Sequence, residues 1–502
     1  MKNICLNWSI SILSGLFLLF MLTILGFIFK VPIIGIYLPL ACLATIFLII
    51  YFTIKDNVKN LTRSLLAQFL ILGDFFLIVG VLCYFIPDIS FDGTTYHQAM
   101  MILMKWGLNP FYDRVHDFAM NQKYVFTTSI PYIQHFLKFF EIIGTNIYVL
   151  FGKIELTKIT NYIFLLIAFC YSFYTFKNLN LSNLKSTFFA ILFVYNPVCV
   201  CQMLSNYVDG VFYYAFLILI FSLINYVKGF DKNKSLAVIL MSAVIFANIK
   251  LTGMFTVVII LTAFLLAFKS KELLKVSIVA FVLILVTGIN PYFTNLADGK
   301  NPFYPIIKDS ITDANKEYMG SSYPPGFEKM NRVQKFLFST FAVSDNISPL
   351  IPSGKVPRLK IPFTISGDYS FYSEATRLAG FGYFFSGILV SALILCIFLR
   401  FEDKEDKKLF FVIMSILAIS ILGNHEAWWA RFVPQFWALP FFIFLFLFKN
   451  TQTNIKIIIV TSLLMIIGFV NSFIINCQYF KFVTGMANTF WNFFKKFFSF
   501  CT

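Results

Sequence analysis

The sequence is poor in charged residues and lacks the common nucleotide- and metal-binding motifs. Only 13% of its 502 residues are charged and 59% are hydrophobic, with 66 phenylalanines among them. Soluble domains contain about 25% charged residues. There is no GxxxxGK, no GxGxxG followed by a ribose-binding acid, and no HExxH. The composition therefore excludes an ordinary soluble enzyme and indicates a polytopic membrane protein.

The nine cysteines lack the spacing of a disulfide framework or a zinc site. Cys42, Cys83, Cys170 and Cys396 lie within apolar runs, where cysteine behaves as a small hydrophobic residue. The sequence thus offers no metal-binding residues, and it leaves open whether a divalent metal takes part in any reaction.

Long apolar runs dominate the chain. A helix that crosses a bilayer needs about 20 residues, and runs near that length predict an all-α polytopic membrane protein of GT-C-like architecture, with about 13 transmembrane helices (11 to 13). The predicted spans are 9–29, 32–54, 65–86, 159–176, 187–203, 210–227, 235–249, 252–268, 273–290, 378–399, 409–422, 433–448 and 455–474.

Basic residues are distributed unevenly between alternate loops. If the N-terminus is cytoplasmic, the opposite short loops contain only Lys30, Lys250 and Arg431. Such a bias fixes the orientation of a multi-pass protein, so it accounts for much of the +16 net charge without nucleic acid as a partner. The cytoplasmic loops contain Lys55, Lys59, Arg63, Lys177, Lys185, Lys228, Lys232, Lys234, Lys269, Lys271, Lys275, Arg400, Lys404, Lys407, Lys408, Lys449 and Lys456.

This orientation divides the chain into five parts and puts every motif-like segment outside. The parts are a hairpin at 1–64, a membrane core at 65–290 that includes the first outer loop at 87–158, an outer loop or cap at 291–376, further spans at 377–474, and an interfacial aromatic tail at 475–502. Two amphipathic helices, at 94–106 and 129–143, are expected in the first outer loop, lying in the interface. The cap shows no strong helical period.

Acids and bases gather where the spans end. Asp92, Asp209, Lys250 and Arg431 each lie within a few residues of a span, and His425 and Glu426 accompany Arg431. A carboxylate at that depth can act as a base towards a hydroxyl, while cations can bind the phosphate of a lipid. Simpler readings remain open: Asp88 and Asp92 as helix caps, and Lys250 and Arg431 as snorkelling side chains.

Histidines His97 and His135 of the first outer loop are site candidates by the same argument. A lone interfacial histidine is more often a hydrogen-bonded structural residue, so both readings stay open.

Five segments in order carry a resemblance: FDGTTYHQ at 91–98, SNYVDG at 205–210, NIKLTG at 248–253, GKNPFYP at 299–305 and WWARFVP at 428–434. Their order and sidedness resemble bacterial GT-C-fold integral membrane glycosyltransferases, the class related to protein mannosyltransferases and aminoarabinose transferases. The resemblance covers roughly residues 65–450. One departure is Gly93, which follows Asp92 where many members have a second acid.

The resemblance implies roles for four residues. Asp92 would be the catalytic base, Asp209 the later aspartate of the class, and Lys250 and Arg431 would lie near the donor phosphate. Further candidates follow from position and not from the resemblance: Asp88 and Asp209 as a possible second acid, His425 near the donor phosphate, and Tyr96, His97 and Glu426 as residues that line the acceptor side.

The implied activity is transfer of a sugar from a polyprenyl-phosphate donor to a glycan, lipid or protein acceptor. It would take place at the outer face of the cytoplasmic membrane, with inversion at the sugar carbon and no certain cofactor beyond the lipid-linked donor. Two alternatives are a polysaccharide polymerase or ligase, and a lipid or sugar transporter. A transporter usually needs ionisable groups near the midplane, and Asp74 is the clearest of the few present.

Overall fold

The computed structural model describes residues 1–56, 58, 60–122, 130–304, 323–344, 356–365, 372–449 and 454–500. It is 75% helical. The described residues form no β-strand, although Ala342 and Leu359 form an isolated antiparallel bridge. The prediction of an all-α polytopic membrane protein is therefore confirmed.

Twenty α-helices follow one another along the described chain. They are α1 (Lys2–Ile28), α2 (Tyr37–Lys55), α3 (Leu61–Phe85), α4 (Gln98–Lys105), α5 (Val115–Asn121), α6 (Ile130–His135), α7 (Phe139–Phe151), α8 (Ile159–Asn178), α9 (Asn183–Val194), α10 (Pro197–Val200), α11 (Asp209–Val227), α12 (Lys232–Ile249), α13 (Leu251–Phe268), α14 (Lys271–Thr287), α15 (Thr294–Ala297), α16 (Arg332–Phe341), α17 (Phe385–Cys396), α18 (Lys404–Leu422), α19 (Ala438–Lys449) and α20 (Ile455–Phe500).

Eight helices of the described chain are long and apolar enough to cross a membrane, or nine if the bent pair Lys271–Thr287 and Ile289–Ala297 is one span. Predicted spans at 187–203, 378–399 and 433–448 coincide with shorter apolar helices of 10–17 residues. The span predicted at 409–422 lies in α18, which opens with five charged residues, KEDKK. The total of thirteen spans stays a prediction.

Two compact units divide the chain. The first contains Met1–Asn178 and Leu204–Ser310, and the second contains Leu179–Met203 and Ile311–Thr502.

Helix α11 forms the centre of the first unit. It is apolar on all sides and 94% of its span is buried, as expected for a helix surrounded by other helices. Helices α8 and α12 pack against it, and α1 packs against α2 and α8. The predicted hairpin at 1–64 is thus part of the same unit as the predicted core.

The first outer loop differs from the prediction of interfacial amphipathic helices. The predicted helix at 129–143 is interrupted after His135 and resumes as α7 at Phe139. Its polar residues Gln134, His135, Lys138 and Glu141 are all buried. The side of this segment that was expected to face solvent is therefore buried. Burial is possible because each of these polar groups has a hydrogen-bond partner in the first unit.

The cap region contains a helix that the sequence analysis missed. Helix α16 begins with a capping box, in which the Asn331 side chain accepts from the Gln334 N–H and the Gln334 side chain accepts from the Asn331 N–H. It packs beside an aromatic cluster in the second unit that includes Phe327, Trp428 and Trp429. Residues 305–322, 345–355 and 366–371 of the predicted cap lie outside the described part of the chain.

The predicted interfacial tail continues a helix. Helix α20 runs without interruption from Ile455 to Phe500. The aromatic side chains that were predicted as anchors beyond residue 488 lie outside the described side chains.

Candidate functional site

Asp92 lies in helical backbone directly before a π-helical turn, Gly93–His97, a few residues beyond the C-terminal end of α3. Its φ and ψ are −63° and −39°, and its side chain makes no capping hydrogen bond. The side chain is half-buried. Helix capping therefore does not account for Asp92, and π-turns inside helices are frequent at functional sites.

Asp88 is a buried acceptor of four hydrogen bonds. Its Oδ1 accepts from the Ser90 N–H (2.9 Å) and hydroxyl (2.6 Å). Its Oδ2 accepts from the Asn206 N–H (2.7 Å) and side-chain amide (2.9 Å). Gly93 lies so close that a Cβ there would come within 2.4 Å of Oδ2. Asp88 thus joins the first outer loop to SNYVDG, and the absence of an acid at position 93 follows from this packing.

A wider network extends from Asp88 to the start of α8. The Asp88 N–H donates to Glu155 Oε2 at 2.9 Å, and the buried Lys158 donates to the same oxygen at 2.6 Å and to the Ile86 carbonyl. Thr157 donates to Asn206 Oδ1 at 2.7 Å. Three segments that are distant in sequence are therefore held together next to the C-terminal end of α3.

Asp209 and Lys250 form an ion pair. Lys250 Nζ donates to Asp209 Oδ1 at 2.5 Å, and the side chains are 25% and 4% exposed respectively. Asp209 is the first residue of α11, where the helix dipole favours an anion. Lys250 is the single residue between α12 and α13. A donor phosphate would compete with Asp209 for this lysine.

His97 forms a buried pair with Glu141. Its Nδ1 lies 2.6 Å from Glu141 Oε1, and each residue is 4% exposed. The pair forms because α4 and α7 pack closely at Gly144, where a Cβ would meet the Met101 side chain at 2.6 Å. Met101 and Gly144 lie one turn beyond His97 and Glu141. Sequence reasoning missed Glu141, because the polar face of the predicted helix was assigned to solvent.

His135 anchors the segment after α15. Its Nδ1 lies 2.7 Å from Asn295 Oδ1, and Lys300 Nζ lies 2.9 Å from its Nε2. Burial lowers the pKa of His135 to about 4, opposed by the hydrogen bond to Asn295. His135 is therefore neutral at pH 7, and GKNPFYP at 299–305 begins next to the first outer loop.

Lys138 is a buried lysine that the sequence analysis did not select as a site residue. Its ammonium donates to the Phe136 carbonyl. Burial lowers the pKa of Lys138 to about 8, and the nearby Glu141 carboxylate opposes this shift.

Glu426 and His425 lie in the second unit. Glu426 accepts hydrogen bonds from the Tyr323 hydroxyl (2.8 Å) and Trp428 Nε1 (2.5 Å), while His425 is exposed with its Nδ1 2.9 Å from Glu426 Oε1. Burial raises the pKa of Tyr323, and the bond to Glu426 raises it further. These bonds give Glu426 a structural role in fixing the GNHEAWWARF segment.

Arg431 shares the ring of Trp429 with a second arginine. The guanidinium carbons of Arg431 and Arg377 lie 4.8 and 5.1 Å from the ring centroid, and the residues are 8% and 5% exposed. Buried guanidinium groups suit bidentate binding of phosphate. Sequence reasoning missed Arg377, because it lies between the predicted cap at 291–376 and the predicted span at 378–399, without a motif around it.

The structure thus brings Asp88, Asp92, Tyr96, His97, Asp209 and Lys250 into the first unit, and His425, Glu426 and Arg431 into the second. Whether both groups serve one cavity stays a prediction. Among the described residues, no group of three or more His, Cys, Asp or Glu side chains is arranged to bind a metal ion. Comparisons of the chain with family models, with curated proteins and with solved structures found no match.

Proposed function

We propose that the protein transfers a sugar from a polyprenyl-phosphate donor to an acceptor at the outer face of the cytoplasmic membrane. Asp92 is the general base of this reaction. Arg431 binds the donor phosphate, and Lys250 contributes a second positive charge. The acceptor is a glycan, a lipid or a protein.

One observation carries the proposal: Asp92 follows directly on a junction at which three outer segments of the first unit meet. Asp88, Asn206 and Glu155 connect these segments through hydrogen bonds. The Asp88 carboxylate accepts four hydrogen bonds, two of them from Asn206, and Asp209 is paired with Lys250. Among these three acids, Asp92 is the half-buried one.

The proposed chemistry uses Asp92 as the base. The acceptor oxygen forms a bond to the anomeric carbon while its proton moves to the Asp92 carboxylate. The bond between that carbon and the phosphate oxygen breaks, and its electron pair leaves with the polyprenyl phosphate. Arginine stabilises the charge that develops on the phosphate, because its planar guanidinium binds two oxygens at once.

Purified protein in liposomes with polyprenyl-phosphate sugars labelled in the sugar tests this proposal. We expect the label to appear in a new glycosidic product together with free polyprenyl phosphate. A transporter would leave the label on its lipid and change only the leaflet. A polymerase or ligase would give long chains or move whole glycans. Either of those outcomes contradicts the proposal.

A further inference from the structure

Three aromatic side chains form a cluster next to the His97–Glu141 pair. The ring centroids of Tyr96, Tyr132 and Phe136 are 5.7 Å (Tyr96–Tyr132), 5.8 Å (Tyr96–Phe136) and 5.3 Å (Tyr132–Phe136) apart. The Tyr96 ring lies 4.3 Å from that of His97. All three aromatic residues are half-buried. The cluster therefore presents part of its ring surface outward, unlike the fully buried aromatic residues of the core.

The imidazole of His97 lies beside these rings in a fixed orientation. The Glu141 carboxylate accepts from Nδ1–H of His97, which fixes the imidazole and directs Nε2 away from Glu141. Among the described residues, Nε2 has no hydrogen-bond partner. Glu141 Oε2 is also buried without a partner there. Buried polar atoms are usually satisfied, so packing alone does not explain why this pair is maintained.

Ring surface and an imidazole nitrogen in a fixed direction together define the class of ligand. A sugar ring has a C–H face that packs on aromatic rings and hydroxyls that need directional partners. A lipid tail would need no oriented histidine. A phosphate would need an accessible cation, whereas the nearby Lys138 is buried and bonded to the Phe136 carbonyl.

We propose that Tyr96, Tyr132, Phe136 and His97 bind a sugar ring, with Glu141 as the residue that positions His97. This inference deepens the proposed function and rests on it for one point only, namely that the bound sugar belongs to a transfer reaction. Asp92 directly precedes the π-turn, and His97 is its last residue. The proposed base and the proposed sugar site are therefore about one turn apart along the same helical segment.

Saturation-transfer NMR on the full chain in nanodiscs tests this site. The probes are methyl α-D-mannopyranoside, methyl β-D-glucopyranoside, methyl β-D-galactopyranoside and methyl N-acetyl-β-D-glucosaminide. We expect transfer of saturation to the ring C–H protons of at least one probe. Tyr132→Leu should weaken its binding about 2- to 10-fold, the range of one aromatic contact.

Glu141→Gln tests the polar half of the site, because glutamine changes the partner of Nδ1 while keeping the shape. We expect several-fold weaker binding. Tyr112→Leu is the matched control: Tyr112 belongs to the same outer loop, is 54% exposed and lies outside the cluster. It should bind like the wild type. Circular dichroism and gel filtration identify any variant that fails to fold. If Glu141→Gln fails to fold, the binding measured for Tyr132→Leu tests the site alone, because Tyr132 belongs to the half-buried cluster.

The possible outcomes separate this site from the proposed activity. Binding of no probe, or binding that Tyr132→Leu and Glu141→Gln leave unchanged, overturns the sugar site. Probe binding with the expected variant effects supports the site even if no sugar transfer is ever detected, in which case only the proposed activity fails.

Discussion

At the scale of single residues, Asp88 and Asp92 show how differently two neighbouring carboxylates can be used. Both follow the same apolar run, and the sequence alone left capping open for each. The structure gives Asp88 four hydrogen-bond donors and gives Asp92 no capping bond. The partners of Asp88 include Asn206, 118 residues away, and such a contact cannot be read from local spacing.

Asp88→Asn should destabilise the protein. The amide nitrogen of asparagine would face donors that now bond to a carboxylate, and hydrogen bonds to charged groups contribute about 1.5 to 3 kcal/mol each. We expect a lower midpoint of thermal unfolding in detergent. Asp117→Asn in the same loop is the control, since its side chain is 73% exposed. Equal midpoints for the two variants would show that the Asp88 junction contributes nothing to stability.

Variants of Asp209 and Lys250 can separate the structural role of this ion pair from a role of Lys250 in ligand binding. Lys250→Ala removes the lysine from a buried carboxylate, and breaking a buried pair costs about 3 to 5 kcal/mol. The double variant Asp209→Asn, Lys250→Met should recover most of that stability. If Lys250 also binds the donor, the stable double variant will bind polyprenyl-phosphate sugar more weakly. Wild-type donor affinity would mean that Lys250 only balances Asp209.

At the scale of elements, the apolar runs predicted most helices because about 20 apolar residues have few alternatives in a bilayer. Two predictions about helices were wrong, and the first concerns polar residues that are buried. In α6 and α7, helical spacing indicated an exposed polar face, whereas Glu141 is buried against His97. Helix α16 was missed because it has only ten residues and lies among turn formers, although its hydrophobic residues share one face and a local capping box marks its start. In α6 and α7, by contrast, partners from other elements decide the outcome.

Acidification should loosen the segment that His135 anchors. Its pKa is about 4 in the folded protein and 6.5 ordinarily, so the unfolded chain takes up the proton first. Stability is therefore complete above about pH 6.5 and is lost as the pH falls towards 4, by at most about 3 kcal/mol. Hydrogen exchange of residues 295–304 should rise over this interval. His135→Phe should remove that pH dependence, and its persistence would assign it to another group.

At the scale of the whole molecule, the charge bias between loops predicts a cytoplasmic N-terminus. A variant without native cysteines tests this in intact cells. A membrane-impermeant maleimide should label Asp117→Cys in the first outer loop and leave Lys404→Cys unlabelled until the cells are opened. Both positions are exposed. If instead Lys404→Cys were labelled in intact cells and Asp117→Cys were not, the proposed site would lie at the cytoplasmic face, where nucleotide sugars are available as donors.

The proposed activity depends on Asp92 more than on any other residue, so the rate of sugar transfer by Asp92→Asn is the most direct measurement. General-base assistance contributes about 10² to 10⁴ in rate. Transfer by Asp92→Asn in liposomes should therefore fall at least about 100-fold, with donor binding retained, because the acid faces the acceptor. Asp117→Asn should transfer like the wild type. Near wild-type transfer by Asp92→Asn would contradict the mechanism.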